Sequence, residues 1–96
     1  MARFAVLLKY TDHGAAGIHG SPERAAEFAA DAQRHAVTVE SQLWLQGEYD
    51  GLLVLSAADE AAVVKLGLHL TAQGFVRTTL LRAYDEAEFR KLVVRV

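Results

Sequence analysis

Gly47-Glu48-Tyr49-Asp50-Gly51 stands almost at the middle of the chain, between Leu43-Trp44-Leu45-Gln46 and Leu52-Leu53-Val54-Leu55. Glycine at both ends, with a carboxylate before the second, marks a turn. Two strand-like runs joined by so few residues predict a β-hairpin. One helical pattern precedes the hairpin and another follows it.

Moving back from the turn, residues 37–46 alternate in the period of a strand. Val37, Val39, Ser41, Leu43 and Leu45 form one face, which is expected to meet the helices. Thr38, Glu40, Gln42, Trp44 and Gln46 form the other, polar except for Trp44. Ser21-Pro22-Glu23 reads as a helix start, with a capping hydroxyl, proline at the first turn and an acid near the positive end. Ala25, Phe28, Ala29, Ala32 and Ala36 then repeat at helical spacing, predicting a helix to about residue 35. Residues 11–20 hold Gly14, Gly17 and Gly20 between strand and helix. Their spacing fits no phosphate-binding fingerprint, so a flexible connector is expected. Residues 3–10 form a strand apolar on both faces, which predicts a central position.

Moving forward, residues 52–56 are a second two-sided apolar strand. Asp59 and Glu60 open a helix whose buried side is Ala62, Val63, Leu66 and Leu70, and Gly74 closes it. Residues 75–84 alternate again, with Arg77, Thr79 and Leu81 against Val76, Thr78, Leu80 and Arg82. Asp85-Glu86-Ala87-Glu88 has the spacing of a capping box, and Phe89, Leu92, Val93 and Val96 make the helix after it amphipathic. The order β-α-β-β-α-β-α predicts an α+β, ferredoxin-like βαββαβ fold with a C-terminal helix. Residues 1–96 are expected to form one domain with a four-stranded antiparallel sheet and both long helices on one face.

The opposite sheet face is left bare, in a chain that is 52% hydrophobic. The expected solution is self-association, as a homodimer packed sheet to sheet or a higher oligomer. A formal charge of −2 argues against nucleic acid, and no apolar run reaches the length of a membrane span. Cysteine is absent, which excludes thiol chemistry and disulfides. The short apolar start, interrupted by Lys9, lacks a signal-peptide cleavage pattern, so a cytoplasmic protein is expected.

Leu7-Leu8-Lys9-Tyr10-Thr11 with Gly14, Ser21-Pro22-Glu23-Arg24, Gly47-Glu48-Tyr49-Asp50, and Val76-Arg77-Thr78 with Leu81-Arg82-Ala83-Tyr84 together resemble the GYD domain family over nearly the whole chain. Leu80 departs from the pattern, where a second hydroxyl residue would stand. The resemblance implies a dimeric α+β barrel, a superfamily that includes monooxygenases, isomerases and haem-degrading proteins. It therefore implies a homodimer binding a small organic molecule, with cofactor-free or haem-linked oxidation or isomerisation as the chemistry to test. Gly47 to Thr79 are also similar to the effector-binding domain of leucine-responsive transcription regulators, which implies a non-catalytic effector-binding or oligomerisation module. No cofactor is singled out between these readings.

Arg77 and Arg82 are five apart on one strand and must face opposite sides. One of them, with Tyr10, Glu40, Gln42 and Trp44, is expected to line a cavity on the uncovered face or to pair across a dimer interface. Glu48 and Asp50 flank Tyr49 in a turn expected to be wet, so Gly47, Glu48, Tyr49 and Asp50 are read as turn geometry. His13 and His19 share a loop with Asp12 at no established metal-ligand spacing, and no metal site is expected. His35 is expected to cap the first long helix, and His69 to be a partly covered structural residue.

Overall fold

The computed structural model describes residues 1–96. Its elements are β1 (Ala2–Tyr10), α1 (Asp12–Ala16), α2 (Ser21–Arg34), β2 (Thr38–Trp44), β3 (Gly51–Ala57), α3 (Glu60–Ala72), β4 (Val76–Ala83) and α4 (Glu86–Val93). The four strands form one antiparallel sheet in the order β2-β3-β1-β4. This is the ferredoxin-like βαββαβ arrangement with a C-terminal helix. No helix is long and apolar enough to cross a membrane.

β1 is the strand apolar on both faces, and it lies between β3 and β4. Phe4, Val6, Leu53, Leu55, Phe28, Ala32, Val63 and Leu66 belong to one buried cluster between the sheet and the long helices. Alanine at position 32, with no exposed surface, lets α2 lie close against the strands. The other face carries Ala5, Leu7, Leu52 and Val54, all half-buried.

In β2 the structure departs from strict alternation. Thr38 and Val39 pair with Ser56 and Leu55, but Ser41 pairs with Val54, so the register slips by one residue between Val39 and Ser41. An extra residue in a strand exchanges the faces of everything beyond it. Val39 keeps the expected side, whereas Gln42 and Trp44 point to the helices and Ser41 and Leu43 to the bare face. The expected assignment of faces is therefore reversed for the second half of the strand.

The connector at 11–20 is also more ordered than glycine content suggests. Thr11 Oγ1 accepts from Gly14 N at 3.1 Å and donates to Gly74 O at 2.6 Å, starting α1 and tying it to the end of α3. Ile18–Gly20 form a 3-10 turn that runs directly into α2. Gly20, not Ser21, holds the N-cap position, and Ser21 is already helical. At the other end, Ala36 takes φ +58, a left-handed conformation that suits glycine, while His35 Nδ1 lies 2.9 Å from Asp31 O in the last turn. His69 is exposed rather than partly covered, beside Gln73 Nε2 at 3.3 Å.

α4 begins with the complete capping box. Asp85 Oδ1 accepts from Glu88 N at 2.8 Å and Glu88 Oε1 from Asp85 N at 3.0 Å. Its apolar residues Phe89, Leu92 and Val93 remain exposed.

Two substitutions should move stability in opposite directions. A Cβ on Gly14 would sit 1.9 Å from Phe75 O, so Gly14→Ala is expected to cost about 2–4 kcal/mol in urea unfolding. Ala36→Gly removes the penalty of left-handed backbone and is expected to gain about 1 kcal/mol in the same experiment.

Candidate functional site

The reversed half of β2 builds one wall of an apolar cavity on the helix side of the sheet. Trp44 lies opposite Gly51 on the helix side of the sheet, and Gly51 presents no side chain between Trp44 and Leu8. The resulting space of about 70 Å³ is bounded by apolar residues such as Leu8, Phe28, Leu53 and Val76, and by the polar side chains of Tyr10, Ser21, Arg24, Gln42 and Asp50.

Those polar groups are held in place by specific bonds. Ser21 Oγ accepts from Trp44 Nε1 at 3.1 Å and shares a 2.8 Å hydrogen bond with Tyr10 Oη. Gln42 Nε2 donates to Ala25 O at 3.1 Å, fixing β2 to α2. Arg24 Nη1 donates to Gly17 O at 3.0 Å, and its guanidinium carbon lies 4.1 Å from the centroid of the Phe75 ring. Arg24 Nη2 is buried with no acceptor.

Asp50 has a structural task. Its carboxylate accepts from Tyr10 N at 2.8 Å, and its own N–H donates to Leu8 O at 2.8 Å. It thereby prolongs the pairing of β3 with β1 beyond Gly51, at the end of the connection between β2 and β3. Gly47 takes φ +147, a left-handed-side conformation natural to glycine. Tyr49 is half-buried and Glu48 exposed, so the two carboxylates of the turn sit in different settings.

The residues anticipated as one cavity are divided between two faces. Tyr10, Gln42 and Trp44 meet at the cavity on the helix side. Glu40 is on the opposite face, 3.1 Å from Arg3 Nε. Arg77 pairs in register with Lys9 on that same bare face. Arg82 is on the helix side but far from the cavity, over Phe4 and Tyr84 and 3.6 Å from Glu60. The expectation that Arg77 and Arg82 face opposite sides holds. The expectation that Gln42, Trp44, Tyr10 and Glu40 share the bare face does not, because the bulge rotates the first two and the register of β1 turns Tyr10 toward the helices. Arg24 was not anticipated, although it lies beside Ala25 on the stripe that continues to Phe28 and Ala32, a visible anomaly in an apolar pattern. The histidines do not meet. His13 stacks on Phe75 with centroids 4.6 Å apart, and no group of three or more His, Asp or Glu is placed to hold a metal ion.

The bare face is polarised along the strands. At one end Arg3 lies 3.1 Å from Glu40, 3.4 Å from Glu88 and 3.6 Å from Asp85, one cation among three carboxylates. At the other end Lys9 and Arg77 are neighbours. The two ends are six residues apart on β1, roughly 20 Å. The hydrogen bond from Arg3 holds the Glu40 carboxyl below its ordinary pKa, with Ser56 helping. The backbone N–H of Glu88 does the same for Asp85, with Arg3 adding a smaller pull.

The GYD domain family model matches residues 4–93. A relative from Thermus thermophilus, the glutamine synthetase and cystathionine beta-lyase binding protein, is 37% identical over 89 residues, which is 92% of this chain and 94% of the relative. No solved structure matches.

Glu40 and Asp85 both titrate lower in the folded chain than when unfolded. Their contribution to stability is therefore full above the ordinary carboxylate range and is lost as pH falls through their lowered pKa values. Wild-type stability is expected to drop below about pH 4, and Arg3→Met should flatten that drop in pH-dependent urea midpoints.

Proposed function

The chain belongs to the GYD domain family, and from that premise we propose that it is a binding module, acting as a homodimer paired through its bare sheet faces. The observation that carries this reading is the polarised face itself. Its centre is apolar, with Ala5, Leu7, Leu52 and Val54 half-buried and Leu43 and Leu81 more exposed. Its two ends carry opposite excess charge.

A two-fold axis across the strands lays the acidic end of one sheet over the basic end of its partner. A two-fold axis along the strands would put like charges together, which costs association energy. Four strands at the usual spacing and rise cover roughly 500 Å². A stable interface needs about 800 Å² per partner. The exposed apolar side of α4, with Phe89, Leu92 and Val93, supplies the further area when it lies against the second copy.

The dimer then offers its remaining surfaces to a protein partner. The relative is named for binding two enzymes, glutamine synthetase and cystathionine beta-lyase, and a folded enzyme is the kind of partner we assign to this chain. Catalysis by the chain itself has less support. The residues that would have formed a reactive cavity on the bare face are divided between two sides of the sheet.

Light scattering at micromolar concentration is expected to give twice the chain mass of 10.5 kDa. Val54→Arg places a charge in the centre of the face and should yield a monomer with an unchanged far-ultraviolet spectrum. A monomeric wild type would overturn the dimer. Failure of the purified dimer to bind either enzyme from its own host in a calorimetric titration would remove the enzyme-partner assignment.

A further inference from the structure

The helix side of the central strand is sealed at one end and open at the other. Phe4 and Val6 are buried there, but Leu8, the next residue on the same face, is only half-buried. The cause is local. Leu8 and Trp44 both stand opposite Gly51, which puts no side chain between them. Ala25 of α2 lines the same space, and its single methyl fills little of it. Two small residues, one on the sheet and one on the helix, thus leave apolar surface of Leu8, Phe28, Leu53 and Leu70 facing a cavity. Interiors are normally packed without gaps of this size, and unmatched apolar walls forfeit dispersion contacts.

The polar groups around the cavity are already engaged with the protein. Gln42 donates to Ala25 O, and Ser21 holds both Tyr10 and Trp44. Asp50 accepts from Tyr10 N, and Arg24 donates to Gly17 O while its guanidinium lies over Phe75. The two charged side chains of the lining, Arg24 and Asp50, are of opposite sign. The cavity therefore has no net charge to attract an ion, and an ion entering it would lose its hydration without a dedicated partner. Trp44 lines the cavity and is 52% exposed, so it borders both the gap and the solvent.

We propose that this cavity is a binding site for an uncharged small molecule, which inserts a compact branched hydrocarbon end against Leu8, Phe28, Leu53 and Leu70. A dry cavity of about 150 Å³ admits a benzene ring, so the space of about 70 Å³ takes a group of roughly half that size, three or four carbons. An isobutyl group fits this measure, and the polar remainder of the molecule lies at the opening beside Trp44. The site is on the helix side of the sheet, so it stands independently of the proposed dimer face.

The test uses the purified full chain and 3-methylbutan-1-ol as the probe. Binding is read by calorimetry and by emission of Trp44, the only tryptophan. Saturable binding in the millimolar range is expected, with isovalerate and isopentylamine, which carry the same isobutyl group beside a charge, each roughly tenfold or more weaker. Ala25→Leu fills the gap and should weaken the alcohol roughly tenfold or more, while the thermal midpoint stays unchanged or rises. Absence of saturable binding to folded wild type, or either ion binding as tightly as the alcohol, would overturn the proposal. So would unchanged affinity in folded Ala25→Leu, because binding would then lie elsewhere. The three-ligand comparison is made on wild type, so it decides the matter even if the variant does not fold. Light scattering on the same sample keeps this outcome separate from that of the dimer.

Discussion

The one-residue slip in β2 is the constraint on which the functional geometry depends. Side chains alternate along a strand with period two, so an added residue cannot be absorbed locally. Val39 packs against the core before the slip, and Gln42 and Trp44 turn to the helix side after it. From there Gln42 reaches Ala25 O and Trp44 reaches Ser21 Oγ, and both bonds tie the edge strand to α2. Without the slip, Leu43 would take the position between sheet and helix, and the bonds of Gln42 to Ala25 O and of Trp44 to Ser21 Oγ would be lost. Glu40, at the slip itself, is directed instead to Arg3 on the bare face.

The turn motif works by a related economy. Gly47 permits a conformation that other residues avoid, and Gly51 leaves room between Leu8 and Trp44. Asp50 uses both its backbone and its carboxylate to continue the sheet past the last residue of the strand. A carboxylate engaged by a backbone N–H is a poor candidate for acid-base work, yet it is well suited to hold Tyr10 at the cavity. The motif is best understood as scaffolding for the site next to it. The same division appears at the opposite end of β1, where Arg3 draws together Glu40, Asp85 and Glu88 and so positions the start of α4 beside the bare face.

Much of this was legible in residue order. The capping box at Asp85–Glu88, the glycine closing α3 and the helical stripe Ala25-Phe28-Ala32 each depend on neighbours within one or two turns, and each appears where spacing places it. Legibility failed where a distant partner decides. Ser21 looks like a capping residue, but its hydroxyl is engaged by Tyr10 and Trp44, eleven and twenty-three positions away. The glycine-rich connector looks flexible, but Gly14 is small because Phe75 O passes close by. Strict alternation places Trp44 on the polar face of β2, away from the helices, but the register of that strand breaks before it.

By itself the sequence determined the order of the strands and of the longer helices, though not α1, and with it the single antiparallel sheet, the central place of β1 and one face without helices. These follow from local periodicity and from the limited ways of connecting such elements. Only the tertiary structure decided which face each side chain takes. β1 and β3 are apolar on both sides, so hydrophobic pattern could not orient them, and the slip in β2 shows itself only against β3. The Arg24–Tyr10–Ser21 cavity and the polarised bare face are products of that choice, because both depend on side chains brought together across strands rather than along one.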